Sequence, residues 1–62
     1  MILSQWRKAR SITQVEMARK LGITQSMLSK IENGLTPSFA VAKTIAQTTG
    51  LEIGELFPKY KI

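Results

Sequence analysis

The sequence predicts an all-α fold, five short helices around one core, and three observations carry that prediction. Apolar residues recur at spacings of three and four, the period of a helix with one buried face. No stretch alternates with period two, so no strand is expected. Gly22, Gly34, Gly50, Gly54, Pro37 and Pro58 punctuate the 62 residues at short intervals, leaving room only for short helices between them.

The first helix is expected from about Ile2 to Arg10, with Leu3 and Trp6 on one face and Ala9 or Arg10 completing it. Thr13 followed three residues on by Glu16 is a capping box, which starts a second helix running to about Leu21. Met17, Ala18 and Leu21 face inward, and Gly22 ends the helix in the left-handed conformation. Thr24 caps a third helix that buries Leu28 and Ile31 and stops at Asn33-Gly34. After the short loop Leu35-Thr36-Pro37, Ser38 caps a fourth, with Phe39, Ala42, Ile45, Ala46 and Thr49 as its inner stripe and Gly50 as its stop. A short fifth helix carries Ile53, Leu56 and Phe57. Pro58 then leaves a tail, Lys59-Tyr60-Lys61-Ile62, readable as a short strand, a pairing arm or a frayed end. Trp6, Met17, Leu21, Ile23, Leu28, Ile31, Phe39, Ile45, Leu51, Ile53, Leu56 and Phe57 are expected to fill the core.

This length reads as one domain over residues 1–62, with a core over 3–57; a chain so short buries only roughly 60% of its unfolded surface. Composition narrows the function. Nine Lys and Arg stand against four acidic residues, a net charge of +5, and the pI is near 10.1. Such a chain is drawn to polyanions, nucleic acid first among them. There is no Cys and no His, which removes thiolate nucleophiles, imidazole bases, disulfides and Cys/His zinc sites. Glu16, Glu32, Glu52 and Glu55 form no obvious catalytic pair, so no enzyme, cofactor or metal is expected. The N-terminal MILSQWRKAR lacks the charge order of a signal peptide. No apolar run is long enough to span a membrane. A cytoplasmic location, with no membrane partner and no small-molecule ligand, is expected.

The second and third helices hold the argument. Two helices joined by a turn of about four residues cross steeply and need small residues at the crossing. Ala18 lies one turn before Gly22, Ile23 seals the corner, and Leu28 and Ile31 anchor the third helix. This is the pattern of a helix-turn-helix. Gln25, Ser26, Ser29 and Lys30 then face outward. Gln suits adenine N6 and N7, Lys suits guanine O6 and N7, and Ser serves either. A major groove laid along that face would put Met27 at its wall, against a thymine methyl. The plain alternative for all of these is a solvated polar helix face.

The stretch RKARSITQVEMARKLGITQSMLSKIENG, followed by TPSFAVAKTIAQTTGLEIGELF, resembles the lambda-repressor-like (Cro/repressor, XRE-type) DNA-binding family. The resemblance runs from about Leu3 to Phe57. It implies that the third helix enters the major groove, with Gln25, Ser26, Ser29 and Lys30 at base edges. It also places Gln14 and Asn33 at backbone phosphate and pairs Arg7 with Glu32 in a salt bridge, expected as a surface pair. Two departures stand out. The loop Leu35-Thr36-Pro37 lacks the Lys or Arg many relatives carry, so contacts there fall to Thr36, Ser38 or backbone N–H groups; Thr24 and Ser38 join the phosphate set. Thr49 takes a place usually apolar, in a helix whose many Thr residues leave it less stable or facing a partner. Lys8 and Arg10 either approach phosphate or solvate the surface.

The resemblance implies a double-stranded DNA operator as partner and a small transcriptional regulator, a repressor or Cro-like switch of phage or bacterial type. A weak homodimer on a twofold-symmetric site is expected through Leu51–Leu56 and the tail. The rival is a protein-interaction module or antitoxin component on the same fold.

Overall fold

The computed structural model describes residues 2–61. Among them lie α1 (Ile2–Ala9), α2 (Gln14–Leu21), α3 (Gln25–Glu32), α4 (Phe39–Thr49), α5 (Ile53–Leu56) and a closing 3-10 turn (Pro58–Tyr60), with no strand. Local chemistry sets most of these boundaries. Thr13, Thr24 and Ser38 each accept a backbone N–H three residues on, at 3.1, 3.0 and 3.4 Å. Gly22 ends α2 at φ +72°, a conformation that costs a residue with a Cβ about 1–2 kcal/mol. A methyl group there would meet nothing within 4 Å, so the requirement for glycine is torsional rather than steric.

The core is Leu3, Met17, Ala18, Leu21, Leu28, Ile31, Ala42, Ile45, Leu56 and Phe57. Ala18, 3% exposed, lets α2 and α3 cross closely, and α2 also packs on α4. Trp6, Ile23, Leu51 and Ile53 are half-buried and pack around this centre rather than within it.

Several expectations are corrected. α1 stops at Ala9, and both Ala9 and Arg10 are exposed. The residue that completes that face beside the buried Leu3 is Arg7, itself buried. Arg10 instead lies 4.0 Å over the Trp6 ring and donates to the Trp6 carbonyl. Phe39 is 55% exposed. Pro37 and Ala42 are the buried residues at that end of α4, while Phe39 meets Tyr60 edge-to-face at 5.4 Å. Thr49 is half-buried, and its hydroxyl donates to the Ile45 carbonyl at 2.9 Å, which reconciles a polar side chain with that stripe. Phe57 is buried but caps α5 rather than extending it.

The tail is neither strand nor frayed end as far as Lys61; Ile62 lies outside the described residues. Pro58 opens the 3-10 turn, and the Tyr60 hydroxyl donates to the Pro37 carbonyl at 2.7 Å. Gly54 permits this return, because a Cβ there would stand 3.2 Å from the Lys61 Cα. The radius of gyration is 10.4 Å, against about 10.6 Å for a fully compact chain of this length. The C-terminal segment therefore lies on the body.

Candidate nucleic-acid interface

The helix-turn-helix is built from the cap inward. Thr13 and Glu16 exchange both capping-box bonds: Glu16 N–H donates to Thr13 Oγ1, and Thr13 N–H donates to Glu16 Oε1 at 3.2 Å. The bonds from the Thr13 backbone and hydroxyl hold the Glu16 carboxyl below its ordinary value. At the other end of α2, Gly22 N–H donates to the Arg19 carbonyl and Ile23 N–H to the Ala18 carbonyl at 3.0 Å. That pair of bonds reverses the chain and delivers it to Thr24, the cap of α3.

α3 buries one side completely: Leu28 and Ile31 are 0% exposed. At about 100° per residue, Ser26 and Lys30 then point away from the core. Gln25, Ser26, Lys30 and Asn33 are exposed and Ser29 is half-buried. Among the described residues none of these five side chains has an intramolecular hydrogen bond or ion pair. They form a row of donors and acceptors aimed at solvent. Thr24 and Ser38 use an oxygen lone pair for capping and keep their O–H as a donor.

The end of α3 is held by a triad that the sequence shows only in part. Arg7 Nε donates to Glu32 Oε2 at 2.8 Å and Arg7 Nη2 to Glu32 Oε1 at 3.0 Å, a bidentate pair. Arg7 Nη1 donates to the Ile12 carbonyl at 2.9 Å. The two side chains retain 9% and 7% exposure, so the pair is largely covered, not the surface pair expected. Burial pushes the Glu32 carboxyl up. Hydrogen bonds from Arg7 and Gln14, with the charges of Arg7 and Lys8, outweigh it and leave the group below its ordinary value. The hydrogen bond to Glu32, opposed by burial, raises Arg7.

Gln14, read as a phosphate contact, is half-buried, and its Nε2 donates to Glu32 Oε1 at 3.0 Å. Its place is thus inside the triad that joins α1, α2 and α3. One amide N–H and the carbonyl oxygen remain for a ligand. Asn33 sits at the C-cap with φ −95°, and its N–H donates to Ser29 and Lys30 carbonyls, while Gly34 takes the positive φ of 114°.

Every Lys and Arg except Arg7 is exposed. With Arg7 and Glu32 neutralising each other, the positive excess lies wholly on the surface. No acidic side chain other than Glu32 occurs between Thr24 and Ser38. No group of acidic side chains among the described residues could hold a metal ion, and no described helix is long and apolar enough to cross a membrane.

A family model described as helix-turn-helix matches residues 3–56. No curated protein and no solved structure matches the chain. The match spans most of the chain, including the capped α2, the Gly22 turn and α3, and so this chain belongs to the helix-turn-helix family of Cro and repressor type, whose members are DNA-binding transcription regulators.

Proposed function

We propose that the protein is a sequence-specific double-stranded DNA-binding transcriptional regulator that lays α3 in the major groove. Gln25, Ser26, Ser29 and Lys30 read base edges in this proposal. Thr24, Asn33, Ser38 and the free amide N–H of Gln14 meet phosphate. Helix N-termini and polar side chains there fix register without reading sequence. The Arg7–Glu32–Gln14 triad holds α3 at its angle to α2. Repression follows from occluding a promoter, and the whole chain acts as one domain.

The observation that carries the reading is the contrast across α3. Its inner side chains Leu28 and Ile31 are fully buried, while its outer polar side chains have no hydrogen-bond or ion-pair partner among the described residues. One recognition helix covers only a few base pairs, so the proposal includes a weak homodimer on a twofold-symmetric site. A largely apolar groove of about 420 Å³, lined by Phe39, Ala46, Leu51 and Ile53 with Lys43 and Gln47, supports that part, lying where Leu51–Leu56 were expected to pair.

Selection from a pool of random duplexes at moderate salt tests the proposal. Enrichment of a short inverted repeat is the expected outcome. Retention without sequence preference, by a protein that keeps its helical spectrum, refutes it.

A further inference from the structure

Among the described residues four large apolar side chains are exposed, and two of them, Met27 (38%) and Leu35 (45%), stand on the rim of one cleft. The cleft holds about 480 Å³, its surface is mostly apolar, and it is walled by Ile23, Thr24, Thr36, Pro37, Ser38 and Val41. Its place relative to α3 is fixed by two facts. Met27 lies roughly 60° around the helix from Lys30 and far from Gln25. The Leu35 N–H donates to the Lys30 carbonyl at 2.9 Å, which folds the following loop against the same flank. No charged side chain lines the cleft, and residues 34–38 contain no Lys or Arg. A duplex lying on Ser26, Ser29 and Lys30 therefore meets apolar surface at this edge rather than a cation. Base edges present one apolar group in the major groove, the C5-methyl of thymine.

Resting on the operator reading proposed above, we infer that Met27 and Leu35 together form a methyl-reading rim. It closes over a thymine methyl beside the base pair met by Lys30 and makes that thymine a specificity element of each half-site. Duplex DNA is the occupant for two reasons. The cleft's α3 wall is continuous with the outward polar row, and the net charge of +5 draws a polyanion. Met27 suits the task because an unbranched thioether adapts its shape to a small apolar group. Leu35 supplies the fixed side of the rim, since its backbone is tied to Lys30.

The test replaces each thymine of a selected duplex, one at a time, with deoxyuridine. This removes the methyl and leaves every hydrogen-bonding group in place. Affinities are measured for the native chain, Met27→Ala, Leu35→Ala and, as a control, Lys30→Ala. One thymine per half-site is expected to lose about fourfold in affinity, the equivalent of one buried methyl group. The loss should vanish in Met27→Ala or Leu35→Ala and persist in Lys30→Ala. Uniform affinity for all deoxyuridine duplexes, with preference for the selected sequence intact, overturns the methyl reading and spares the operator reading. A thymine dependence unchanged in both rim variants overturns the assignment to these side chains. Absence of any preferred duplex overturns the operator reading and this inference with it. Leu35→Gln, which keeps a long side chain, replaces Leu35→Ala if truncation unsettles the helical spectrum.

Discussion

Replacing Glu32 with Gln tests whether the triad under α3 is a structural joint or surface decoration. The carboxylate accepts from Arg7 Nε, Arg7 Nη2 and Gln14 Nε2 at 2.8, 3.0 and 3.0 Å. An amide of the same shape loses the charge and turns an NH2 toward one of those donors. Removing one member of a buried pair costs about 3–5 kcal/mol. The Arg7 side chain keeps 9% exposure and its bond to the Ile12 carbonyl, so we expect about 2–4 kcal/mol here. A chain of this length has a total stability of about 3–9 kcal/mol, which makes the loss a large fraction. In urea, with a slope of about 1 kcal/mol/M, the midpoint should fall by about 2 M or more. A fall of less than about 0.5 M would place the pair among ordinary surface bridges and refute the reasoning.

The pH dependence of the same variant supplies a second reading. Glu32 titrates below the ordinary 4.5 in the folded chain, so the unfolded chain takes up the proton first. The stability this group contributes is complete above that ordinary value and is lost as pH falls through the folded one. Glu32→Gln should therefore flatten the acid limb of the stability curve. A residual slope of the same sign remains from Glu16, whose carboxyl is also lowered.

Three further outcomes are expected. Ser11 holds φ +55° at the end of α1, so Ser11→Gly should stabilise by about 0.5–1 kcal/mol in thermal or urea melts. Thr13→Ala removes the acceptor that caps α2 and should cost about 1 kcal/mol by the same melts. Lys30→Ala and Gln25→Ala should each weaken operator binding by about 1–3 kcal/mol and relax preference at one base position. Equal losses on selected and random duplex would assign those side chains to phosphate instead.

What the sequence made legible was local. Thr13, Thr24 and Ser38 are caps because a hydroxyl reaches only three residues along the chain, and that reach is visible in the residue order. Gly22 was equally legible, since a left-handed turn is a property of one residue. Phe39 was misread because spacing assigns a face but not what lies opposite it; its neighbour is Tyr60, not the core. The Arg7–Glu32 pairing came from resemblance. Its burial and the inclusion of Gln14 did not, because those groups are 25 and 18 residues apart and meet only in the packed fold. The alternation of Tyr60 and Ile62 with Lys59 and Lys61 left a short strand, a pairing arm and a frayed end open. Pro58 and the Tyr60 hydroxyl, whose acceptor lies 23 residues away, make the tail a folded turn as far as Lys61. The apolar cleft beside α3 gave no sequence signal, since Met27 and Leu35 become neighbours only when the loop folds back on Lys30.

The bond from Tyr60 to the Pro37 carbonyl makes the last turn a brace for the loop between α3 and α4. That loop carries Leu35 on the rim of the cleft and Ser38 at the head of α4. A genetic screen for altered operator choice should therefore return changes at Phe57, Pro58 and Tyr60 beside those in α3. On the proposed reading the changes in the last turn would shift preference at the thymine assigned to the Met27–Leu35 rim and leave the bases assigned to Gln25 recognised as before.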